Sequence, residues 1–354
     1  MRFKSTPPHF YSIIILALTF ALFGCGSDSK SESTKKSVPA DSNAKPTLTV
    51  YTYDSFTSEW GPGPKVKEVF EKDCNCDLKF VALEDGVSLL SRLKLEGKNT
   101  KADIVLGIDT NLTADARATG LFTPHGMKME NSSLPSEWID DTFLPYDFGY
   151  FAFVYDKTKL KSPPTSLRDL VENKNGPKIL IQDPRTSTPG LGLLLWIKKI
   201  YGDKAEEAWK QLSPRIVTVS KGWSEAYGLF LKDEAPMVLS YTTSPAYHII
   251  AEKKDNFAAA KFEEGHYQQI EVAGMVASSK NQKLAKQFLS FMLSEKFQSI
   301  IPANNWMYPA ALSAEKLPEA FKTLIKPKPL IFNESVVAKM RKDWVKEWLN
   351  ALAK

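Results

Sequence analysis

The spacing of apolar and polar residues in the first half of the body predicts an α/β fold. Residues 48–53, 77–83 and 102–107 are short runs rich in β-branched and aromatic side chains, which is typical of strands. Between them, residues 65–72 and 87–96 are predicted to be helices. This β-α-β-α-β order indicates a largely parallel sheet covered by helices.

The rest of the body continues this pattern around a long aromatic segment. Residues 148–155 predict a strand that carries the chain out of a first lobe, and residues 268–277 predict one that returns it. The other predicted elements are strands 179–182, 216–220 and 237–241 and helices 191–201, 284–293 and 336–353. A body of about 310 residues is too long for one ordinary core, so we expect two lobes with a cleft between them.

The predicted domain boundaries follow from the two strands that carry the chain out of the first lobe and back to it. We assign residues 46–148 and 270–325 to lobe 1, residues 149–269 to lobe 2 and residues 326–354 to a C-terminal helical segment. Residues 25–45 are mostly small, polar or charged and contain no apolar cluster to bury, so we expect a flexible tether there.

The N-terminus has the pattern of an export signal. Two basic residues precede an apolar run at residues 10–23, which is shorter than the roughly 20 residues of a membrane-spanning helix. Gly24 directly before Cys25 resembles a bacterial lipobox, in which the cysteine becomes the first residue and carries a lipid. The alternative is an ordinary signal peptide with a chance cysteine. We expect residues 1–24 to be removed and the exported chain to be membrane-anchored through Cys25.

Composition and motifs argue against several classes of function. The formal net charge of +5 falls to about +3 without the two basic residues of the signal, and the charges are dispersed, so no nucleic-acid partner is expected. The sequence contains no phosphate-binding or dinucleotide-binding glycine motif and no nucleophile elbow. The body histidines, His125, His248 and His266, lie in no catalytic motif. We therefore expect a binding protein without a cofactor, and no enzyme.

Cys74 and Cys76 are the only cysteines of the body. In an exported protein this Cys-Asn-Cys pair is a candidate disulfide, although so tight a bridge is strained, and free thiols are the alternative. No second cysteine pair or nearby histidine completes four ligands, so no metal site is predicted.

Aromatic side chains cluster beside turns, several of them just after predicted strands, where open α/β sheets bind ligands. Aromatic faces bind flat rings, and they also bind cations. For each of these residues, the alternative to a ligand-binding role is structural packing in the core or at the rim of a lobe. The candidates are Tyr53, Trp60, Trp223, Tyr241, Tyr247 and Trp306.

Two polar segments add candidate ligand groups. Ser187 and Thr188 precede a predicted helix start, where hydroxyls and free backbone N–H groups favour an anion such as phosphate. Simple N-capping of that helix is the alternative. Asp85 follows the second predicted strand and offers a carboxylate to an amino-substituted ring or a cation; a turn or cap aspartate is the alternative.

Long runs of this sequence resemble one protein family, and together they extend from about residue 46 to about residue 349. The runs are LTVYTYDSF (48–56), WGPGP (60–64), DCNC (73–76), VALEDGVSLL (81–90), QDPRTSTPGLG (182–192), KGWSEAYGLF (221–230), LSYTTSPAYH (239–248) and NWMYP (305–309). They resemble the periplasmic thiamine-binding proteins of bacterial thiamine ABC importers.

The resemblance implies a type II periplasmic-binding-protein fold, with two lobes joined by two crossover strands around a ligand cleft. It implies a monomer that captures thiamine and its mono- and diphosphate and delivers them to the membrane permease and, through it, to the ATPase subunits. The residues it implicates are Asp85 and Gly86 near one ring, Ser187 and Thr188 at the phosphate or hydroxyethyl end, Trp223 against a ring, the strip Tyr241, Thr242, Thr243 and Ser244, and the aromatic walls Tyr53, Trp60, Tyr247 and Trp306.

Two other functions are the alternatives. The first is a binding protein for ferric iron or a polyamine, but an iron site favours paired tyrosines and Tyr241 has no adjacent tyrosine. The second is a thiamine-metabolising enzyme, which needs an activated nucleophile, and neither Cys74 nor Cys76 is placed as one. Familiar family members carry an ordinary signal peptide, so the lipobox sets this chain apart in its anchoring, not in its expected ligand.

Overall fold

The computed structural model describes residues 45–130 and 132–353. The predicted signal peptide, Cys25 and nearly all of the predicted tether lie outside the described residues. The described strands are β1 (Thr47–Tyr53), β2 (Asp77–Leu83), β3 (Ile104–Asp109), β4 (Phe122–Thr123), β5 (Phe143–Asp156), β6 (Ile179–Gln182), β7 (Ile216–Ser220), β8 (Met237–Tyr241), β9 (Phe257–Ala259), β10 (His266–Val276), β11 (Tyr308–Pro309) and β12 (Pro329–Leu330).

Helices alternate with these strands through most of the chain. They are α1 (Asp54–Thr57), α2 (Gly63–Cys74), α3 (Gly86–Glu96), α4 (Thr113–Arg117), α5 (Leu167–Glu172), α6 (Thr188–Tyr201), α7 (Ala205–Leu212), α8 (Trp223–Leu231), α9 (Ser244–Tyr247), α10 (Gln282–Met292), α11 (Glu295–Gln298), α12 (Glu319–Lys322) and α13 (Glu334–Leu352). Among the described helices, none is long and apolar enough to cross a membrane.

The predicted α/β class is confirmed, and its strands join one mixed sheet in the order β2-β1-β3-β10-β5-β8-β6-β7. Within the first half, β1 pairs in parallel with β2 and β3, as the β-α-β-α-β order predicts. Within the second half, β6 pairs in parallel with β7 and β8. The central strands β5 and β10 are antiparallel to each other and connect the two halves. The lobe boundaries that the sequence analysis assigns stay a prediction.

Strand β5 is longer than predicted and passes through a glycine without a break. Its first residues pair with β10, and residues from Phe151 onward pair with β8. Gly149 lies opposite Gln269 of β10. A Cβ atom on Gly149 would lie 2.6 Å from Met307 Cε and 3.5 Å from Tyr241 Cδ1. Because Gly149 has no side chain, Met307 and Tyr241 can pack closely over β5. This is the point where β5 stops pairing with β10 and begins to pair with β8.

The two body cysteines lie at the end of α2. Cys74 is the last residue of the helix, and its sulfur is bonded to that of Cys76. Asn75 between them has φ 49° and ψ 43°, the left-handed conformation that commonly ends a helix. The short disulfide loop therefore also forms the C-terminus of α2.

His266 connects the start of β10 to β5 through a buried ring. Its Nδ1 lies 2.7 Å from the carbonyl oxygen of Phe151, and its Nε2 lies 3.0 Å from the backbone N of Phe262. Because Nε2 accepts a hydrogen bond from that N–H group, the ring is neutral with its proton on Nδ1. Burial lowers the pKa of His266 to about 4.

This lowered pKa predicts a loss of stability in mild acid. Between a pKa of about 6.5 in the unfolded chain and about 4 in the folded protein, only the unfolded state takes up the proton, so stability falls as the pH falls. Urea unfolding at pH 7 and pH 5 should show that the wild type loses about 2 kcal/mol more than a His266→Gln variant. All other titrating groups are the same in the wild type and the variant, so their contributions cancel in the comparison. An identical pH dependence in the two would contradict the assignment.

Candidate ligand-binding site

A cavity of about 380 Å³ lies beyond the ends of β1 and β8 and receives residues from both halves of the sheet. Nine of the thirteen predicted ligand residues line it. They are Tyr53, Trp60, Asp85, Thr188, Trp223, Tyr241, Ser244, Tyr247 and Trp306. The resemblance therefore directs attention to side chains that the fold brings to one place, although they are spread over more than 250 positions of sequence.

The other four predicted residues do not line the cavity. Gly86 donates its backbone N–H to Thr188 Oγ1 at 3.1 Å, which connects the start of α3 to the start of α6. Ser187 is the N-cap of α6, and its Oγ accepts the N–H of Gly190 at 3.4 Å. Thr242 and Thr243 are fully buried after β8. Direct contact between these four residues and a ligand stays a prediction.

Trp223 and Trp60 form one aromatic side of the cavity. Their ring centroids are 6.1 Å apart at an interplanar angle of 56°. Trp223 stacks on Tyr227, with 4.9 Å between the ring centroids, and its Nε1–H donates to Ser240 Oγ at 2.8 Å. Trp60 is 44% exposed, so it lies at the mouth of the cavity. The hydrogen bond and the stacking fix the Trp223 ring before any ligand arrives.

Further aromatic rings come from the end of β8, from the segment after it and from the segment before β11. Tyr247 packs edge-on against Trp306, with 5.2 Å between their ring centroids. The hydroxyl of Tyr241 accepts a hydrogen bond from Gln269 Nε2 at 3.2 Å. Burial raises the pKa of Tyr241 well above its usual value, so the phenol stays neutral. These rings present apolar faces without adding a charge.

Asp85 places a carboxylate beside the aromatic residues. It is the N-cap residue of α3, but its side chain does not cap that helix. Instead, Asp85 Oδ2 accepts the backbone N–H of Trp223 at 3.0 Å, which ties α3 to α8 across the cavity. Burial raises the pKa of Asp85 well above its usual range, while the Ser187 side chain and the Trp223 amide oppose that shift.

Glu271 of β10 lines the cavity and is almost fully buried, and we refer to its position as the floor of the cavity. The hydroxyls of Tyr53 and Tyr146 both donate to Glu271 Oε2 at 3.0 Å. Asp147, the residue opposite Glu271 in β5, accepts a hydrogen bond from Asn305 Nδ2 at 2.6 Å. Burial raises the pKa values of both carboxyl groups, to about 7 for Asp147 and well above the usual range for Glu271.

Ten lining residues are not among the thirteen predicted ligand residues. They are Asp54, Ser55, Ser58, Ser224, Tyr227, Gly228, Leu231, Glu271, Asn305 and Met307. One signal was available for Glu271, because a lone carboxylate within an otherwise buried strand needs a partner or a function. The others lie in turns and short helices, where the sequence does not reveal which side chains face inward.

The chemistry of the lining favours a flat, positively charged ligand. Among the described residues that line the cavity, three are acidic and none is Lys or Arg. Aromatic faces attract cations through their ring quadrupoles, and buried carboxylates attract them more strongly. In the part of the chain that the structure describes, no group of three or more His, Cys, Asp or Glu side chains could hold a metal ion.

Comparison with known proteins agrees with this architecture. Residues 99–331 match the family model described as bacterial extracellular solute-binding protein. The chain is 60% identical over 312 residues to the thiamine-binding periplasmic protein of Escherichia coli K12, an alignment that covers 88% of this chain and 95% of that protein.

Two solved structures confirm the predicted type II fold. A periplasmic thiamin binding protein superposes with a TM-score of 0.86 at 59% identity, covering 90% of this chain and 99% of that one. The ferric binding protein from Campylobacter jejuni shares the fold at 22% identity with a TM-score of 0.72, covering 86% of this chain and 99% of that one. The chain therefore belongs to the bacterial extracellular solute-binding proteins and, among them, to the thiamine-binding periplasmic protein family.

Proposed function

We propose that this protein captures thiamine in the cavity and delivers it to the membrane permease, and so to the ATPase subunits, of an ABC importer. The observation that carries the proposal is a cavity lined by aromatic rings and buried carboxyl groups without a lysine or arginine among its described lining residues. The 60% identity to a protein named for thiamine binding supports the choice of ligand.

The structure of thiamine matches these groups. Its thiazolium ring carries a permanent positive charge, and contact with an aromatic face contributes about 0.5–2 kcal/mol for such a cation. Its aminopyrimidine ring carries N–H donors that suit a carboxyl group of the cavity lining. Trp223 is the ring best placed for stacking, because its indole is held by Ser240 and backed by Tyr227.

Thiamine phosphates are proposed as further ligands. Thr188 lines the cavity at the first turn of α6, a helix of 14 residues. Helix N-termini favour anions through their free N–H groups and their dipole. Asp85 lies beside this helix start, because its neighbour Gly86 donates its backbone N–H to Thr188 Oγ1. Burial raises the pKa of Asp85 well above its usual range, which favours the protonated carboxyl group that a phosphate tolerates. We expect the ester end to lie toward α6 and the thiazolium toward Glu271.

Binding is proposed to proceed by closure of the cleft around the ligand, with no bond made or broken. Closure excludes water and strengthens every electrostatic contact inside. We expect the protein to act as a monomer and not as an enzyme.

Ferric iron is a poorer fit to the same cavity. Beside the cavity, the hydroxyls of Tyr53 and Tyr146 are 3.1 Å apart and both donate to Glu271, although Tyr146 does not itself line the cavity. Burial raises the pKa values of both phenols well above their usual values. Because iron ligation requires phenolate oxygens, this environment opposes it.

Titration calorimetry on the wild type and a Trp223→Ala variant tests the proposed site. We expect the wild type to bind one thiamine and to give no heat with spermidine or ferric citrate. Loss of the ring should weaken thiamine binding by about tenfold or more, since a well-placed cation–aromatic contact contributes up to about 2 kcal/mol. Trp138→Ala is a matched control, because Trp138 is also half-buried but lies outside the cavity lining. Unchanged affinity in Trp223→Ala would contradict the site.

We further propose that the protein is exported and held at a membrane surface through a lipid on Cys25. The motif Gly24-Cys25 after an apolar run supports this anchor, and the named relatives are periplasmic proteins. A Cys25→Ala variant expressed in its native type of host should move from the membrane fraction to the soluble fraction and lose incorporation of radiolabelled palmitate. A soluble wild-type protein without the label would contradict the anchor while leaving ligand binding untouched.

A further inference from the structure

Two carboxyl groups meet at the floor of the cavity. Glu271 and Asp147 are cross-strand neighbours on β10 and β5, the two central strands. Glu271 lines the cavity and is 5% exposed, and Asp147 is fully buried. Asp147 Oδ1 has no hydrogen-bond partner among the described residues. Stacking of a ligand on Trp223 does not by itself require either carboxyl group.

In the described part of the chain, the N–H and O–H groups that donate hydrogen bonds to the pair are all neutral. Tyr53 and Tyr146 donate hydroxyls to Glu271, and Asn305 donates its amide to Asp147. Within the described part of the chain, neither carboxyl group forms an ion pair with Lys, Arg or His. The pair is therefore solvated by dipoles but not neutralised by a cation.

Among the described residues, the titratable groups that interact with Glu271 are acids and phenols. They are Tyr53 from β1, Tyr146 and Asp147 from β5, Tyr241 from β8 and Asp85 at the start of α3. Burial and Asp147 raise the pKa of Glu271, the hydroxyls of Tyr146 and Tyr53 partly oppose that shift, and none of these groups supplies a positive charge. Two adjacent buried carboxyl groups cannot both ionise in such surroundings, so the pair retains a proton near neutral pH.

We propose that the Glu271–Asp147 pair is the charge-recognition element of the cavity: a cationic ligand replaces the retained proton, which is released to solvent when the ligand binds. The inference rests on the proposed function, because it takes the thiazolium as the cation. Ligand and proton then compete for the same negative charge. A neutral ring of the same shape leaves the proton in place and gains nothing from the pair.

The pH dependence of binding follows from this exchange. A cation above the floor favours the ionised pair and lowers its pKa, so the complex holds fewer protons than the free protein. Affinity for a cation must then fall as the pH falls, by up to tenfold per pH unit for one proton released. A neutral analogue does not displace the proton, so the Glu271–Asp147 pair should give its affinity no pH dependence.

Proton release can be measured on the wild type without any substitution. Calorimetric titration with thiamine at pH 7, in two buffers of different ionisation enthalpy, should show release of a large fraction of one proton per ligand. A neutral analogue with a thiophene in place of the thiazolium should release none. Wild-type protein that binds thiamine tightly in both buffers without releasing a proton would overturn this inference and leave the proposed function standing. No thiamine binding at all would overturn both.

A Glu271→Gln variant separates charge from shape. Glutamine keeps an acceptor oxygen for the two tyrosine hydroxyls and removes the ionisable group. We expect proton release to disappear, thiamine affinity at pH 8 to fall by about tenfold or more, and affinity for the neutral analogue to stay within about threefold. Equal losses for both ligands would indicate a structural role and overturn the inference.

Asp103→Asn provides the matched control. Asp103 is also a buried carboxylate, but it accepts hydrogen bonds from Thr49 and Ser279 and does not line the cavity. This variant should keep wild-type proton release and affinity. Thermal unfolding of both variants identifies any loss of affinity that comes from misfolding, and loss of proton release in Asp103→Asn would overturn the assignment to the pair.

Discussion

The carboxyl groups of Asp147 and Glu271 face each other where β5 and β10 pair, and no described basic group neutralises them. Burial of a charge in such a place is costly unless the group is protonated or paired. The surrounding structure reduces that cost with dipoles, through two tyrosine hydroxyls and one asparagine amide. The antiparallel register of the two central strands, which join the halves of the sheet, thus also creates the negative floor of the cavity.

The aromatic walls complete this electrostatic arrangement. Trp223 is held by a hydrogen bond to Ser240 and by the carboxyl group of Asp85 at its backbone N–H, so two distant segments position one ring. Gly149 lets Met307 and Tyr241 approach β5 closely beside the floor. A cation bound here would have π-faces at its sides and carboxyl groups beneath it, and both interactions strengthen when water is excluded.

The sequence predicts most strands of this fold because buried strands are short, β-branched and bounded by turn residues; β6, β7 and β8 lie where the pattern places them. It also identifies nine lining residues, because stacking side chains after strands are conspicuous and because long runs resemble a known family. It does not reveal the pair at the floor. Glu271 and Asp147 meet only through the register of two strands far apart in sequence, and no local pattern encodes that register.

A crystal structure of the protein with thiamine bound tests the central claim most directly. The account predicts the thiazolium within contact distance of the Glu271 carboxyl group, with an aromatic ring of the ligand against Trp223. Thiamine bound elsewhere, or in this cavity with its cationic ring turned away from Glu271 toward solvent, would contradict it.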